Sequence, residues 1–190
     1  MSFINVLEWI SVLFNLLFVV LIIKELKAGW LFGILGSIIS IYLFYTVQLY
    51  SEAILYLYYV AMGFYGLSRW TLVNDEVLPI TVWSLKKHFF AIIVGIVGTL
   101  MLGLFFSQFT KAAMPFADAF STSFSFIATY MEAKKIFSTW VFWIVLNTFS
   151  VWLYFSRGFD IYSALMVIYA ILSVVGLLAW RKSLQAQRAG

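Results

Sequence analysis

The chain lacks cysteine, and its 190 residues include one histidine, two prolines and few charged side chains. The absence of cysteine excludes disulfides, thiolate metal sites and cysteine nucleophiles. A single histidine, His88, argues against a histidine-built metal site, so we expect neither a metal nor a cofactor. Charged residues make up 11% of the chain, whereas soluble domains carry about a quarter. The composition therefore argues against a soluble globular domain.

Hydrophobic residues make up 64% of the sequence and aromatic residues 21%. A membrane-spanning helix needs about 20 mostly apolar residues, so this length has room for six to eight of them. The apolar runs predict seven helices, near residues 8–23, 29–47, 51–70, 89–107, 115–133, 139–156 and 161–180. We therefore expect an all-α integral membrane protein. The net charge of +4 sits in short loops, so it indicates membrane topology and not nucleic-acid binding.

The basic residues are divided unequally between the two ends of the predicted helices. Lys111 and Arg157 fall on one side of the membrane, and the other ten fall on the opposite side. Positive charge is enriched on the cytoplasmic side of membrane proteins. This predicts an outer N-terminus and a cytoplasmic C-terminus. The ten are Lys24, Lys27, Arg69, Lys86, Lys87, Lys134, Lys135, Arg181, Lys182 and Arg188.

Residue pairs recur at a constant spacing of 110. Trp30 pairs with Trp140, and Trp70 pairs with Trp180. The same offset also joins carboxylates, lysines, serines and glycines in register, which apolar composition alone does not explain. The further pairs include Glu8/Asp118, Ser11/Ser121, Phe14/Phe124, Lys24/Lys134, Phe32/Phe142, Ser40/Ser150, Tyr59/Tyr169 and Gly66/Gly176. At the helix ends, the four tryptophans are expected to form an interfacial aromatic belt.

The repeat predicts two parallel three-helix bundles joined by an inverting fourth helix. The first bundle covers residues 1–70, the linker with helix 4 covers 71–112, and the second bundle covers 113–190. In transporters with parallel repeats, the substrate binds at the repeat interface near the middle of the membrane. The polar and aromatic faces of the predicted helices 2, 3, 6 and 7 therefore define the candidate substrate site. Its residues are Ser37, Ser40, Tyr56, Tyr59, Asn147, Ser150, Tyr154 and Tyr169.

Asn147 is an amide near the centre of the predicted helix 139–156. A polar group in hydrocarbon is costly unless it is satisfied, so it often marks a functional site. Serine and glycine rows in membrane helices also serve close helix packing, and that reading stays open for the other candidates. Asp118 follows Pro115 at a helix start, where a carboxylate needs no functional explanation.

Three stretches resemble the PnuC-type vitamin transporters: residues 32–70, residues 118–154, and Trp180 with Arg181. The resemblance implies a SWEET-like fold of two three-helix bundles joined by an inverted helix. It also implies uptake of nicotinamide riboside by facilitated diffusion, with a cytoplasmic kinase trapping the product. Asn147 matches the family's helix 6 asparagine, whereas Tyr56 stands where many nicotinamide riboside carriers have glutamine. Thiamine, riboflavin or a deoxynucleoside is therefore the alternative substrate.

A seven-helix sensor or receptor is the rival function class. A retinal protein needs a lysine in its last helix, and residues 161–180 contain none. An enzyme needs a nucleophile with a base, and His88 has no evident partner in the sequence, so we expect no enzymatic activity. The expected partners are the bilayer and the vitamin substrate, and assembly into a homo-oligomer stays an open alternative.

Overall fold

The computed structural model describes residues 3–46, 50–71, 78–110 and 113–189. Seven α-helices lie in these ranges, and their order is that of the predicted spans. Lys111, which the topology prediction assigns to the outer side, lies outside the described residues. The helices are α1 (Phe3–Ile23), α2 (Ala28–Thr46), α3 (Tyr50–Trp70), α4 (Leu85–Phe109), α5 (Pro115–Ala133), α6 (Thr139–Phe155) and α7 (Asp160–Ala189).

Most helix ends lie within a few residues of the prediction, and α7 differs most. It continues nine residues beyond Trp180, to Ala189. The extension contains good helix formers and no proline or glycine, so the helix persists where the apolar run stops. Four helices, α1, α2, α4 and α7, are long and apolar enough to cross a membrane, and α6 is apolar but has 17 residues. Tyrosines in α3 and hydroxyl side chains in α5 reduce the apolar character of those two helices.

The chain forms two compact units, Met1–Pro79 and Ile80–Gly190. In the first unit, α2 packs against both α1 and α3. In the second, α4 packs against α5, α5 against α6, and α6 against α7. Helix α4 thus belongs to the second unit, and its role as a linker between the halves stays a prediction.

Large apolar side chains are exposed along α4, including Phe89, Phe105 and Phe109. Soluble proteins rarely expose a continuous apolar surface of this kind, whereas a helix in lipid requires one. The exposed surface and the seven helices together confirm the predicted all-α membrane fold.

The two tryptophan pairs form the same contact in each three-helix bundle. The rings of Trp30 and Trp70 meet edge to face at 5.7 Å and 82°, and those of Trp140 and Trp180 at 5.4 Å and 89°. Gly66 lies directly against the Trp30 ring, and no side chain fits there because a Cβ would overlap the indole. Its counterpart at 176 lies against Trp140 in the same way. The repeat is therefore present in the packing as well as in the sequence.

The expectation of an interfacial belt is wrong for these four tryptophans. Their exposed fractions are 1%, 5%, 1% and 0% for Trp30, Trp70, Trp140 and Trp180. A belt residue contacts lipid headgroups, but each of these indoles packs against the other indole of its pair. Trp30, Trp70 and Trp140 lie at helix ends as predicted, whereas α7 continues past Trp180. The direction of each side chain depends on the facing glycine and the neighbouring helix.

The connection between the first two helices of each bundle is also repeated. Glu25 and Lys135, which are 110 residues apart, have positive φ angles of 59° and 51°. A left-handed conformation costs a non-glycine residue about 1–2 kcal/mol. Both turns are closed by the same bonds: the Leu26 amide donates to the Leu21 carbonyl, and the Ile136 amide to the Met131 carbonyl, each at 2.9 Å. Because both bundles adopt the same costly conformation at equivalent positions, this turn geometry is needed to connect the first two helices of each bundle.

Candidate functional site

Asn147 joins α6 to α7 through a short chain of hydrogen bonds. Its Nδ2 donates to the Ser173 hydroxyl at 3.0 Å, and that hydroxyl donates to the Tyr169 carbonyl at 2.8 Å. Ser173 is buried, whereas Asn147 is half-buried. Within the described part of the chain, the Asn147 carbonyl oxygen accepts no hydrogen bond. The Asn147 side chain is thus held through its Nδ2 atom, and its carbonyl oxygen can still accept a hydrogen bond.

The other second-unit candidates lie on α6 and α7. Ser150 is buried one turn after Asn147, and its hydroxyl makes no hydrogen bond to the described residues. Tyr154 is half-buried, and its ring lies 5.9 Å from that of Tyr162. The Tyr169 side chain is half-buried one turn before Ser173. Together these residues supply an amide, a hydroxyl and aromatic rings within one unit.

In the first unit, the polar row of α2 contacts α1. Ser40 lies 2.8 Å from the Ser11 hydroxyl, and Ser11 also donates to the Gly36 carbonyl at 3.3 Å. Asn15 donates to Ser11 at 3.4 Å. Since the Ser40 hydroxyl is hydrogen-bonded to Ser11 on α1, its geometry favours a function in helix packing. Ser37 is buried on the same helix and makes no hydrogen bond within the described ranges.

The two tyrosines of α3 lie close together. The rings of Tyr56 and Tyr59 meet edge to face at 5.4 Å, and Tyr56 also contacts the Phe44 ring at 5.3 Å. Both tyrosines are half-buried. The structure therefore groups the eight candidates into an α2–α3 set in the first unit and an α6–α7 set in the second.

Two residues that the sequence analysis did not select lie beside the second set. The Glu132 side chain is 2% exposed at the end of α5, and its Oε2 atom has no hydrogen-bond partner. Trp143 on α6 is half-buried, and it precedes Asn147 by four residues, which places both on one face of the helix. That spacing was the signal available in the sequence.

His88 has a partner, contrary to the sequence expectation. Its Nε2 atom lies 2.7 Å from the Ser138 hydroxyl, and its Nδ1 atom lies 3.0 Å from the Ser84 carbonyl. Nearby, Thr81 forms a parallel bridge to Ile136. These contacts hold the segment before α4 on the turn between α5 and α6. The partner is 50 residues away in sequence, so no local pattern reveals it.

Asp118 also has a contact that its helix-start position does not predict. Arg157 donates to the Asp118 carboxylate, with nitrogen–oxygen distances of 2.8 and 2.9 Å. Both side chains are partly exposed. The ion pair ties the first turn of α5 to the turn between α6 and α7. Among the described residues, no group of three or more acidic or histidine side chains is arranged to hold a metal ion.

The family model described as "Nicotinamide mononucleotide transporter" matches residues 5–182. The nicotinamide riboside transporter PnuC of Escherichia coli (strain K12) is 22% identical over 204 residues, covering 93% of this chain and 85% of that protein. PnuC of Neisseria mucosa is 26% identical over 182 residues, covering 88% and 69%. The riboflavin/roseoflavin transporter RibM of Streptomyces davaonensis is 23% identical over 128 residues, covering 64% and 59%.

A crystal structure of the vitamin B3 transporter PnuC has the same fold. The TM-score is 0.76 at 23% identity, and the match covers 95% of this chain and 82% of that one. The family match extends over nearly the whole chain and includes both three-helix repeats. The chain is a multi-pass membrane transporter, and it belongs to the nicotinamide mononucleotide transporter family, the PnuC-type vitamin transporters.

Proposed function

We propose that this protein takes up nicotinamide riboside by facilitated diffusion and that a cytoplasmic kinase traps the product by phosphorylation. The observation that carries the proposal is the Asn147 amide, which has a free acceptor in the middle of an apolar helix. An amide offers two donors and one acceptor, enough to hold a hydroxyl or a carboxamide in a dry cavity. Two of the relatives are named nicotinamide riboside transporters, which supports this substrate.

The proposed substrate-binding residues include Tyr56 and Tyr59 in the first unit and Asn147 in the second. Ser37, Ser150, Tyr154 and Tyr169 are the remaining proposed lining residues, whereas the contact of Ser40 with Ser11 favours a packing function for Ser40. Nicotinamide riboside carries a cationic ring, and tyrosine faces attract such rings by cation–π interaction. No intramembrane carboxylate is required for this recognition.

Proteoliposome uptake tests the proposal directly. We expect labelled nicotinamide riboside to equilibrate across the membrane without an ion gradient. It should accumulate when the vesicles contain ATP and a kinase that phosphorylates it. Binding competition with thiamine, riboflavin and deoxynucleosides ranks the substrates. Binding of thiamine with no binding of nicotinamide riboside would reverse the ranking.

Riboflavin or thiamine transport is the second candidate function. Tyr56 favours it, because many nicotinamide riboside carriers have glutamine at that position. A relative named as a riboflavin/roseoflavin transporter also supports it. The competition assay separates the two candidates, since a riboflavin carrier must accept a neutral ring system larger than nicotinamide.

The variants Asn147→Leu and Ser173→Ala distinguish substrate binding by Asn147 from a purely structural hydrogen bond between α6 and α7. If Asn147 binds substrate, Asn147→Leu loses about 1–3 kcal/mol of binding energy because a polar partner is left unmatched. Ser173→Ala keeps the amide, removes only its partner at 3.0 Å, and should retain most of the affinity. If the Asn147–Ser173 hydrogen bond only holds the helices together, both variants should lose about 0.6 kcal/mol of stability, as is typical within membranes. The affinity for substrate should then be unchanged.

We also propose an outer N-terminus and a cytoplasmic C-terminus. The chain has no cysteine, so single cysteines can be introduced into an unreactive background. A cysteine that replaces Ser2 should react with an impermeant maleimide in intact cells, and one that replaces the exposed Gln187 should react only after lysis. The reverse pattern would invert the topology.

A further inference from the structure

The first helix carries an amide that the proposed function does not use. Asn15 lies on α1, which is long and apolar enough to cross a membrane. It lies eight residues before the last residue of that helix, Ile23, and Asn147 lies eight residues after the first residue of α6, Thr139. At 1.5 Å per residue, each amide is about 12 Å along its own helix from that end. Asn15 therefore lies as far inside an apolar helix as Asn147 does.

The hydrogen bonds of Asn15 leave its carbonyl oxygen without a partner. Its Nδ2 atom donates to the Ser11 hydroxyl at 3.4 Å, and that hydroxyl contacts the Gly36 carbonyl at 3.3 Å and the Ser40 hydroxyl at 2.8 Å. Within the described residues, the Asn15 carbonyl oxygen accepts no hydrogen bond. The side chain is half-buried, so this oxygen is not sealed inside the bundle. An unpaired carbonyl in hydrocarbon is costly, which indicates that water or a ligand supplies the donor.

The packing that the two bundles share does not require this amide. The counterpart of Asn15, 110 residues later, is Ser125, and the counterpart of Gly36 is Leu146, which is 3% exposed. The second bundle thus has a leucine where the first has a glycine. The glycine makes room for the amide, since a Cβ on Gly36 would lie 3.0 Å from the Asn15 Oδ1 atom. The amide and the glycine beside it are therefore a feature of the first bundle alone.

The free oxygen determines what kind of group Asn15 can bind. A carbonyl oxygen only accepts hydrogen bonds, so its partner must be an O–H or N–H donor. Nicotinamide riboside has hydroxyl groups on its sugar, whereas its flat cationic ring is the part that aromatic faces attract. A sugar hydroxyl is therefore the donor that suits this amide.

We propose that Asn15 is a substrate-binding residue whose carbonyl oxygen accepts a hydrogen bond from a hydroxyl group of the substrate's sugar. The proposal rests on the proposed function, because it names a further contact to the same substrate. Ser11 and Ser40 hold the amide in place and do not touch the substrate.

Two substitutions in the full-length protein separate recognition from packing. Asn15→Leu keeps a similar volume and removes the acceptor, so the affinity for nicotinamide riboside should fall about five- to tenfold, the effect of one lost hydrogen bond. Its melting temperature should change little. Ser11→Ala is the matched control, because it removes the bond from Asn15 Nδ2 and leaves the carbonyl oxygen. Its affinity should stay within about twofold of wild type, while its melting temperature should fall.

Substrate analogues identify the donor. Each analogue of nicotinamide riboside lacks a different hydroxyl of the ribose. For one of them, wild type and Asn15→Leu should bind with equal affinity, because the contact is then absent from both. If Asn15→Leu weakens every analogue by the same factor, the assignment of Asn15 to a sugar hydroxyl is wrong.

A thiol at position 15 tests the location of the side chain independently of affinity. The chain has no cysteine, so Asn15→Cys presents one thiol to a small hydrophilic methanethiosulfonate reagent. Leu13→Cys is the control, because Leu13 is 54% exposed on the apolar surface and lipid excludes the reagent. We expect Asn15→Cys to react, bound nicotinamide riboside to slow that reaction, and Leu13→Cys to stay unmodified.

Three results overturn the proposal: unchanged affinity in Asn15→Leu, an equal loss of affinity in Ser11→Ala, or an Asn15→Cys thiol that is unreactive or that bound substrate does not protect. The second would assign Asn15 to helix packing. If the wild-type protein binds no vitamin in the competition panel, the proposed function fails instead. The reaction of Asn15→Cys then still decides whether this side chain faces a water-accessible cavity.

Discussion

The two three-helix bundles agree in the tryptophans, glycines and turns that pack, and they differ at several polar positions. Both have an edge-to-face tryptophan pair, a glycine against the first indole, and the same strained turn. The second copy has a carboxylate, an indole, an amide and a hydroxyl where the first has smaller or apolar groups. These pairs are Ile22/Glu132, Gly33/Trp143, Ser37/Asn147 and Gly63/Ser173.

The difference separates the requirements of the fold from those of the site. The tryptophan pairs, the facing glycines and the strained turns are present in both copies and serve contacts that both bundles make. A polar residue present in one copy is not needed to form the bundle, because its counterpart forms it without that group. On this argument, most of the polar residues that we propose for recognition lie in the second bundle, whereas the aromatic candidates of the first bundle are the α3 tyrosines.

The largest expected effect comes from breaking the shared packing. Trp30→Ala and Trp140→Ala each remove an indole that is 1% exposed, and removing a buried tryptophan typically costs about 3–5 kcal/mol. We expect similar losses for both variants in thermal unfolding of detergent-purified protein. If one is tolerated and the other is not, the two pairs are not equivalent.

A smaller effect is expected from changing the first bundle's contribution to the site. Tyr56→Gln introduces the amide found in many nicotinamide riboside carriers, and one hydrogen bond to substrate contributes about 1 kcal/mol. The preference for nicotinamide riboside over thiamine should rise about fivefold in competition binding. Tyr58→Gln, a neighbouring half-buried tyrosine, is the control. Unchanged preferences in a folded Tyr56→Gln would exclude Tyr56 from the site.

The smallest effects should come from one serine pair, Ser40 and Ser150. Ser40→Ala removes the 2.8 Å contact to Ser11 and should cost about 0.6 kcal/mol of stability with affinity intact. Ser150→Ala removes a hydroxyl with no partner among the described residues, so stability should hold while affinity falls a few fold. Identical behaviour of the two variants would remove the distinction between packing and site at this position.

Much of the fold was predictable, because helix periodicity and charge placement are local properties. All seven helices, their order and the spacing of 110 follow from the sequence. The site was predictable in part: the isolated amide at 147 and the serine and tyrosine rows were evident. The hydrogen bond from Asn147 to Ser173 was not, because the two residues belong to different helices and no local pattern in the sequence pairs them.

The sequence by itself determined the membrane environment, the helix order and the internal repeat, since hydropathy and periodicity need no knowledge of neighbours. Only the tertiary structure decided which face of each helix meets another helix. It buried the four tryptophans that their positions assign to the membrane interface, paired His88 with Ser138, and joined Asn147 to Ser173. These outcomes depend on side-chain direction and on contacts between distant segments, because a side chain's partner is set by packing and not by its own helix.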